Sequence, residues 1–173
     1  MKEVEVKILE IDPRKIKSRL RRMRARKLFE GEIHALYFDF RGRKLKGRGQ
    51  VLRLRRKGKL IEFAFKQKRR KKEVRIMDEF ETHVDDWANA QKILKGLGLK
   101  VIKEVRKHRI SYGLGTNRFE IDKYPGIPAF LEIESRSIQT LKKMVKRLGF
   151  RMRDANAWNT FDVLRHYQQG ERR

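Results

Sequence analysis

There is no cysteine among the 173 residues of this chain. That excludes disulfides, thiolate metal sites and cysteine nucleophiles. No apolar run approaches the roughly 20 residues needed to span a bilayer. The N-terminus enters an alternating strand at once, without the apolar stretch of a signal peptide. A cytoplasmic protein with no membrane partner is expected. Carboxylates are scarce, with 22 Asp and Glu against 47 Lys and Arg, a formal net charge of +25. Such an excess calls for an anionic partner: a phosphate-rich ligand, nucleic acid or an anionic membrane surface. The four histidines (His34, His83, His108 and His166) fall at no metal-ligand spacing and read as structural or surface groups.

Periodicity is abundant. The 39% of hydrophobic residues recur regularly, which the disordered class lacks. One domain over residues 1–168 is expected, with 169–173 as a frayed tail. In the first strand, Glu3, Glu5 and Lys7 share one face and Val4, Val6 and Ile8 the other. That pattern suits either an edge strand with a solvated charged face or a pair of carboxylates converging on a hard cation. Asp12-Pro13 then opens a helix with Ile16, Leu20 and Met23 on its apolar stripe and basic residues from Arg14 to Lys27. A solvated face is favoured there over a nucleic-acid stripe.

Further strands are expected over Leu28–Phe40, over Val51–Arg55, and, after a turn at Lys57-Gly58-Lys59, over Leu60–Lys68. Arg41 to Gly49 reads as a loop, and so does the charge run from Lys68 to Lys72. A strand from Glu73 to Val84 carries Arg75, Glu79 and Glu81 on one face, with Val74, Ile76 and Phe80 behind. Asp85-Asp86 caps a second helix with Trp87, Ala90, Leu94 and Leu97 as its stripe. Strands follow over Leu99–Tyr112, Phe119–Tyr124 and Phe130–Glu134. Ser137 caps a third helix, and a short helix spans Trp158 to Tyr167.

In nearly every strand one face is apolar and the other ionisable. Acidic pairs (Glu3/Glu5, Glu79/Glu81, Glu120/Asp122, Glu132/Glu134) complement basic pairs (Arg53/Arg55, Lys66/Lys68, Lys107/Arg109). An open sheet with a solvated face needs no such segregation of sign by strand. A closed eight-stranded, mostly antiparallel barrel does, if its lumen is lined by charge and its outer face is covered by amphipathic helices. This is the expected fold, in the α+β class. Carboxylates in such a lumen suit Mg²⁺ or Mn²⁺, and the metal with Lys and Arg suits phosphates. The chemistry implied is displacement at phosphorus.

These residues resemble, in order, the motifs of the CYTH superfamily, the triphosphate tunnel metalloenzymes. Glu3-x-Glu5-x-Lys7 is similar to its N-terminal motif, and Leu52-Arg53-Leu54-Arg55 and Lys66 to its next strands. Arg75 with Glu79 and Glu81, Lys107-His108-Arg109, and Asp122 followed by Glu132-Ile133-Glu134 resemble the remainder. The resemblance implies that Glu3, Glu5, Glu132 and Glu134 are metal ligands, assisted by Asp122. It implies that Lys7, Arg53, Arg55, Lys66, Arg75, Lys107 and Arg109 bind phosphates. Glu79 and Glu81 would hold the basic groups or help position metal or water. Lys7, Glu5 and Glu134 are the expected catalytic groups. Two positions depart from the family pattern: Ala35 stands where an Asp is common, and Ile127-Pro128-Ala129 replaces an expected glycine.

The leading expectation is a metal-dependent enzyme hydrolysing tripolyphosphate or a nucleoside or organic triphosphate. The same residues allow cyclisation of ATP to cyclic AMP, as in class IV adenylyl cyclases. The sequence has no adenine-reading motif, which favours hydrolysis. A basic nucleic-acid-binding protein and a non-catalytic polyphosphate sensor are the competing classes, with nucleic acid a secondary partner and a homodimer allowed.

Overall fold

Alternating residues form the strands, and a capping side chain starts each long helix. The computed structural model describes residues 2–69 and 73–170. The strands are β1 (Lys2–Ile8), β2 (Arg26–Phe40), β3 (Gln50–Lys57), β4 (Leu60–Arg69), β5 (Arg75–His83), β6 (Leu99–Leu114), β7 (Asn117–Lys123) and β8 (Phe130–Ser135). Hydrogen bonding orders them β1-β5-β4-β3-β2-β6-β7-β8 and closes the ring. The expected eight-stranded barrel is therefore observed, and closure leaves no open sheet edge. Five helices accompany it: α1 (Pro13–Arg22), α2 (Lys44–Gly47), α3 (Trp87–Gly96), α4 (Ile138–Arg147) and α5 (Thr160–Gly170).

Tertiary contacts group the chain into two compact units, one within residues 31–69 and 77–108, the other within 3–30, 70–76 and 109–173. In the second unit, the apolar face of β1 (Val4, Val6, Ile8) shares a core with Ile16 and Leu20 of α1 and with Leu141 and Val145 of α4. Burying Leu20 completely contributes on the order of 1.5–3 kcal/mol. Asp12 starts α1 by accepting from the backbone N–H of Arg14 at 2.8 Å. Ser137 starts α4 by accepting from the N–H of Thr140 at 3.2 Å.

In the first unit, Leu36, Phe38, Leu54 and Ile61 pack with Leu94 of α3 and Leu99 of β6. Asp86 caps α3 through the N–H groups of Ala88 and Asn89 at 2.8 and 2.9 Å. The β3–β4 hairpin closes with Lys57 opposite Leu60. Gly58 takes a positive φ of 60° there, which a two-residue hairpin turn requires and glycine adopts freely.

Several local expectations differ from the structure. The 41–49 segment is not all loop: it contains the helical turn α2, whose N–H groups at Leu45 and Lys46 donate to the buried carboxylate of Asp39 at 2.8 and 3.0 Å. Phe80 and Leu97 were expected on apolar faces but are 67% and 66% exposed, and Met77 is buried instead. A single-turn 3₁₀ segment, Met152–Asp154, precedes α5. That last helix begins at Thr160 rather than Trp158 and runs to Gly170. Residues 70–72 of the charge run and 171–173 of the expected tail lie outside the described residues. Among the described residues, no helix is long and apolar enough to cross a membrane.

Candidate functional site

Antiparallel pairing puts directly opposite residues on the same face of the sheet. In the second unit, β1 and β8 pair with Lys7 opposite Glu132 and Glu5 opposite Glu134. β7 and β8 pair with Glu120 opposite Glu132. Glu3, Glu5, Lys7, Glu120, Asp122, Glu132 and Glu134 thus form one charged face across three strands. Carboxylate oxygens of Glu3, Glu5 and Glu132 lie within 4.8 Å of one another.

Lys7 joins two of these groups. Its Nζ donates to Glu5 at 3.1 Å and lies 2.8 Å from Glu132. The lysine is 1% exposed. Its backbone is held as well, exchanging hydrogen bonds with Asn156 at 2.8 and 2.7 Å. Burial by itself pushes the ammonium pKa down, but Glu132 and Glu5 more than offset it and hold Lys7 above the ordinary lysine value. Arg75 of β5 donates to Glu5 at 2.5 Å. Its guanidinium is likewise held above its ordinary value, with burial outweighed by Glu5.

Alongside runs a second network. Arg109 of β6 forks onto Asp122, with Nε and Nη2 each 2.6 Å from a carboxylate oxygen. Asp122 is 0% exposed, and this bidentate pair is the strong form of a charge-assisted contact. Glu120 lies 3.4 Å from Arg109 and accepts from the Ser111 hydroxyl. Six carboxylates (Glu3, Glu5, Glu120, Asp122, Glu132, Glu134) therefore share the face with four cations, Lys7, Arg75, Arg109 and Arg118, the last directly opposite Glu134. The local negative excess and the all-oxygen donor set fit a hard divalent cation. Glu134 lies outside the close group of three, and both oxygens of Asp122 are engaged by Arg109.

The charge balance reverses in the first unit. Arg53 and Arg55 of β3 lie beside Glu62 of β4 and Glu81 of β5: Arg55 pairs tightly with Glu62, and each arginine has Nη2 3.6 Å from Glu81. Lys66 Nζ is 3.1 Å from Glu79. Lys107 is buried. Burial alone raises the Glu62 pKa, yet Arg55 outweighs it and holds that carboxyl below the usual range. Arg53 Nε is buried and has no hydrogen-bond partner among the described residues. An orphaned buried donor costs about 1–3 kcal/mol, and an anionic ligand would satisfy it. Tyr37 of β2 stands directly opposite Arg53, and Ala64 of β4 stands on its other side.

Sequence reasoning counted Glu120 among the acidic pairs of the lumen without a specific role, and assigned none to Glu62, Ser111 or Tyr37. The Glu62 contact was readable, because a two-residue turn after Lys57 puts residue 62 opposite residue 55. Glu120 shares strand parity with Asp122. The Tyr37–Arg53 register and the Ser111 contact had no local signal. His34 lies 2.8 Å from Glu104 and its ring packs on Trp87 at 5.1 Å, in keeping with a structural role.

Comparison with known proteins agrees with this architecture. A protein of Methanocaldococcus jannaschii named "Putative adenylate cyclase MJ0240" is 26% identical over 159 residues, covering 92% of this chain and 90% of that one. An X-ray structure from Vibrio parahaemolyticus, described as "a putative adenylate cyclase", superposes with a TM-score of 0.83 at 18% identity, covering 94% of this chain and 97% of that chain. Hippeastrum HpAC1, described as revealing a dominant triphosphatase activity, superposes with a TM-score of 0.67 at 16% identity, covering 95% of each chain. The last two likenesses are likenesses of fold. The model of the CYTH domain matches residues 1–157, and the chain belongs to the CYTH domain family.

Proposed function

We propose that this CYTH-type enzyme hydrolyses a triphosphate, either inorganic tripolyphosphate or a nucleoside or organic triphosphate, in the cytoplasm with Mg²⁺ or Mn²⁺. The observation that carries the reading is the convergence of three buried carboxylates, Glu3, Glu5 and Glu132, within 4.8 Å. They are the residues that would hold the metal. A divalent cation held there would supply charge neutralisation to phosphate oxygens.

The chain's own groups do the rest. Lys7, held between Glu132 and Glu5, presents its ammonium to the phosphate chain. Arg53, Arg55, Lys66 and Lys107 neutralise the phosphate chain, and the free Nε of Arg53 supplies a donor that the protein leaves unused. Arg75 and Arg109 hold Glu5 and Asp122 in place and reach phosphate only by sharing those contacts. Glu79, Glu81 and Glu62 orient the basic groups before substrate enters, which cuts the reorganisation needed on binding. Glu134, opposite Glu5 and outside the group of three, is positioned to orient the attacking water or accept its proton.

A second reading, cyclisation of ATP to cyclic AMP and pyrophosphate, is favoured by the name of the archaeal relative. Both reactions use the same charged groups and differ in the nucleophile. Incubation with tripolyphosphate, ATP, GTP and thiamine triphosphate under Mg²⁺ or Mn²⁺, with products identified, separates them. Orthophosphate with the diphosphate product supports hydrolysis. Cyclic AMP with pyrophosphate supports the second reading, and absence of turnover on the whole panel rejects both.

A further inference from the structure

Outside the barrel's charged faces, the second unit carries a second accumulation of charge with a different character. From Arg14 to Lys27 there are nine Lys and Arg and no carboxylate, and from Arg136 to Arg153 there are seven and none. The two segments are neighbours in the fold. Arg19 of α1 donates through Nη1 to the carbonyl of Leu148 at the end of α4, and its guanidinium lies over the Phe150 ring at 5.6 Å. Ile16, Leu20, Leu141 and Leu148 share one core beneath them.

One cation of this face, Lys142, pairs with Glu73 at 3.5 Å; most of the others have no such partner among the described residues. Arg53, Arg55, Arg75 and Arg109 each have a carboxylate within 4 Å. By contrast, Arg14, Lys15 and Arg22 of α1 and Lys143, Lys146 and Arg147 of α4 are exposed, and among the described residues none of them forms an ion pair. Helix stability does not account for the pattern. Cations in the last turn of a helix oppose its dipole favourably, but Arg14 and Lys15 occupy the first turn of α1, where the dipole disfavours them and the Asp12 cap supplies a single carboxylate for both. Like charges at i and i+4, such as Lys15 and Arg19, destabilise the helix further. An open hollow of about 460 Å³ runs along this row, lined by Arg14, Lys15, Ser18, Arg19 and Arg22.

We propose that the α1–α4 face binds the phosphate backbone of a duplex nucleic acid, independently of triphosphate turnover. Arg14 to Arg22 spans about 12 Å along the helix axis, and a duplex presents roughly one charge per 1.7 Å. The row therefore meets several phosphates at once. α1 contains no aromatic residue, and the ring of Phe150 lies under Arg19. A single strand would call for exposed stacking platforms, whereas a duplex backbone needs only a row of cations. Recognition is consequently independent of sequence and strongly dependent on salt.

The test is fluorescence anisotropy of the full-length protein with labelled RNA and DNA duplexes of one sequence, titrated with KCl. The comparison is with the triple variant Arg14→Glu/Lys15→Glu/Arg22→Glu. Acidic residues suit the first turn of α1, and unchanged circular dichroism and triphosphate turnover of the variant would show that it folds. The expected result is duplex binding by the parent that weakens at least tenfold in the variant. The slope of log K against log salt should fall by about 0.9 for each phosphate that the variant no longer neutralises. Glu5→Gln is expected to bind duplex like the parent. Duplex affinity unchanged in the folded triple variant overturns the proposal. So does displacement of duplex by stoichiometric tripolyphosphate, which would assign the binding to the barrel's charged groups. Capture of long-chain inorganic polyphosphate with no binding of either duplex overturns it as well.

Discussion

Glu5 of β1 stands directly opposite Glu134 of β8 in an antiparallel ladder. Like charges in that relation destabilise a sheet. The next pair of strands repeats it, with Glu120 of β7 opposite Glu132. Two acid–acid pairings on one charged face are out of keeping with a surface built for stability, and natural proteins accept such conflicts at functional sites. Lys7 and Arg75 relieve the repulsion at Glu5 but leave carboxylates in excess.

Removing one of the opposed charges separates stability from activity. Glu134→Gln relieves the repulsion with Glu5 but also removes the charge opposite Arg118 of β7, so metal-free stability is expected to change by less than about 1 kcal/mol, while turnover falls by at least about tenfold, a loss of transition-state stabilisation near 1.4 kcal/mol. Thermal denaturation in chelator and an assay of phosphate release check both. A variant that is less stable yet fully active would contradict the role given to Glu134.

Metal should stabilise the folded protein by mass action. At a hundredfold excess over the dissociation constant, Mn²⁺ or Mg²⁺ adds about 2.7 kcal/mol, read as a rise in melting temperature that chelator reverses. Glu3→Gln and Glu132→Gln are expected to lose most of the rise. A full metal-dependent shift in Glu132→Gln would remove that residue from the metal group.

Arg109 and Asp122 form a buried fork with Asp122 wholly enclosed. Truncating one partner strands the other charge, so Arg109→Ala should cost about 3–5 kcal/mol in urea unfolding. The apolar double variant Arg109→Met/Asp122→Leu should recover most of that loss, because no charge is left buried alone. Equal destabilisation of the single and double variants would show that the fork does not act as a unit.

The pH dependence has a different sign on each side. The Glu62 carboxyl is held below its ordinary value of 4.5 by Arg55, against the opposite effect of burial. Its stabilisation is present above 4.5 and is lost as pH falls through the lower folded value. Glu62→Gln should flatten the acid limb of the stability–pH curve. The Lys7 ammonium is held above its ordinary 10.5 because Glu132 and Glu5 outweigh burial. Its stabilisation is fully present below 10.5 and is lost only as pH rises through the folded value. An alkaline limb in the rate profile near neutral pH would therefore belong to another group, and its persistence in Lys7→Arg would show that.

Much of this was legible in the chain itself. Alternation in Glu3-Val4-Glu5-Val6-Lys7 assigns every side chain to a face, because strand periodicity is a local property of the backbone. Asp12, Asp86 and Ser137 announce α1, α3 and α4 by the same local logic of unsatisfied N–H groups. The segregation of charge sign by strand points to a closed barrel without any knowledge of tertiary packing. Local pattern failed where exposure depends on neighbours: Phe80 and Leu97 follow an apolar period yet face solvent, and the turn α2 exists because the buried Asp39 carboxylate takes its N–H groups.

Sequence alone therefore determined which residues share a face, where helices begin, and that acid and base are concentrated on different strands. Only the tertiary structure decided which carboxylates meet. Glu5 and Glu134 are separated by most of the chain, and nothing local sets their register. A slip of one residue in the β1–β8 pairing would turn every side chain of one strand to the other face. The same long-range registers draw Glu132 to Lys7, put Asp122 in the Arg109 fork and leave Arg53 Nε without a hydrogen-bond partner among the described residues. Side-chain periodicity is encoded residue by residue, whereas convergence on one point requires pairing between distant segments, which exists only once the barrel has closed.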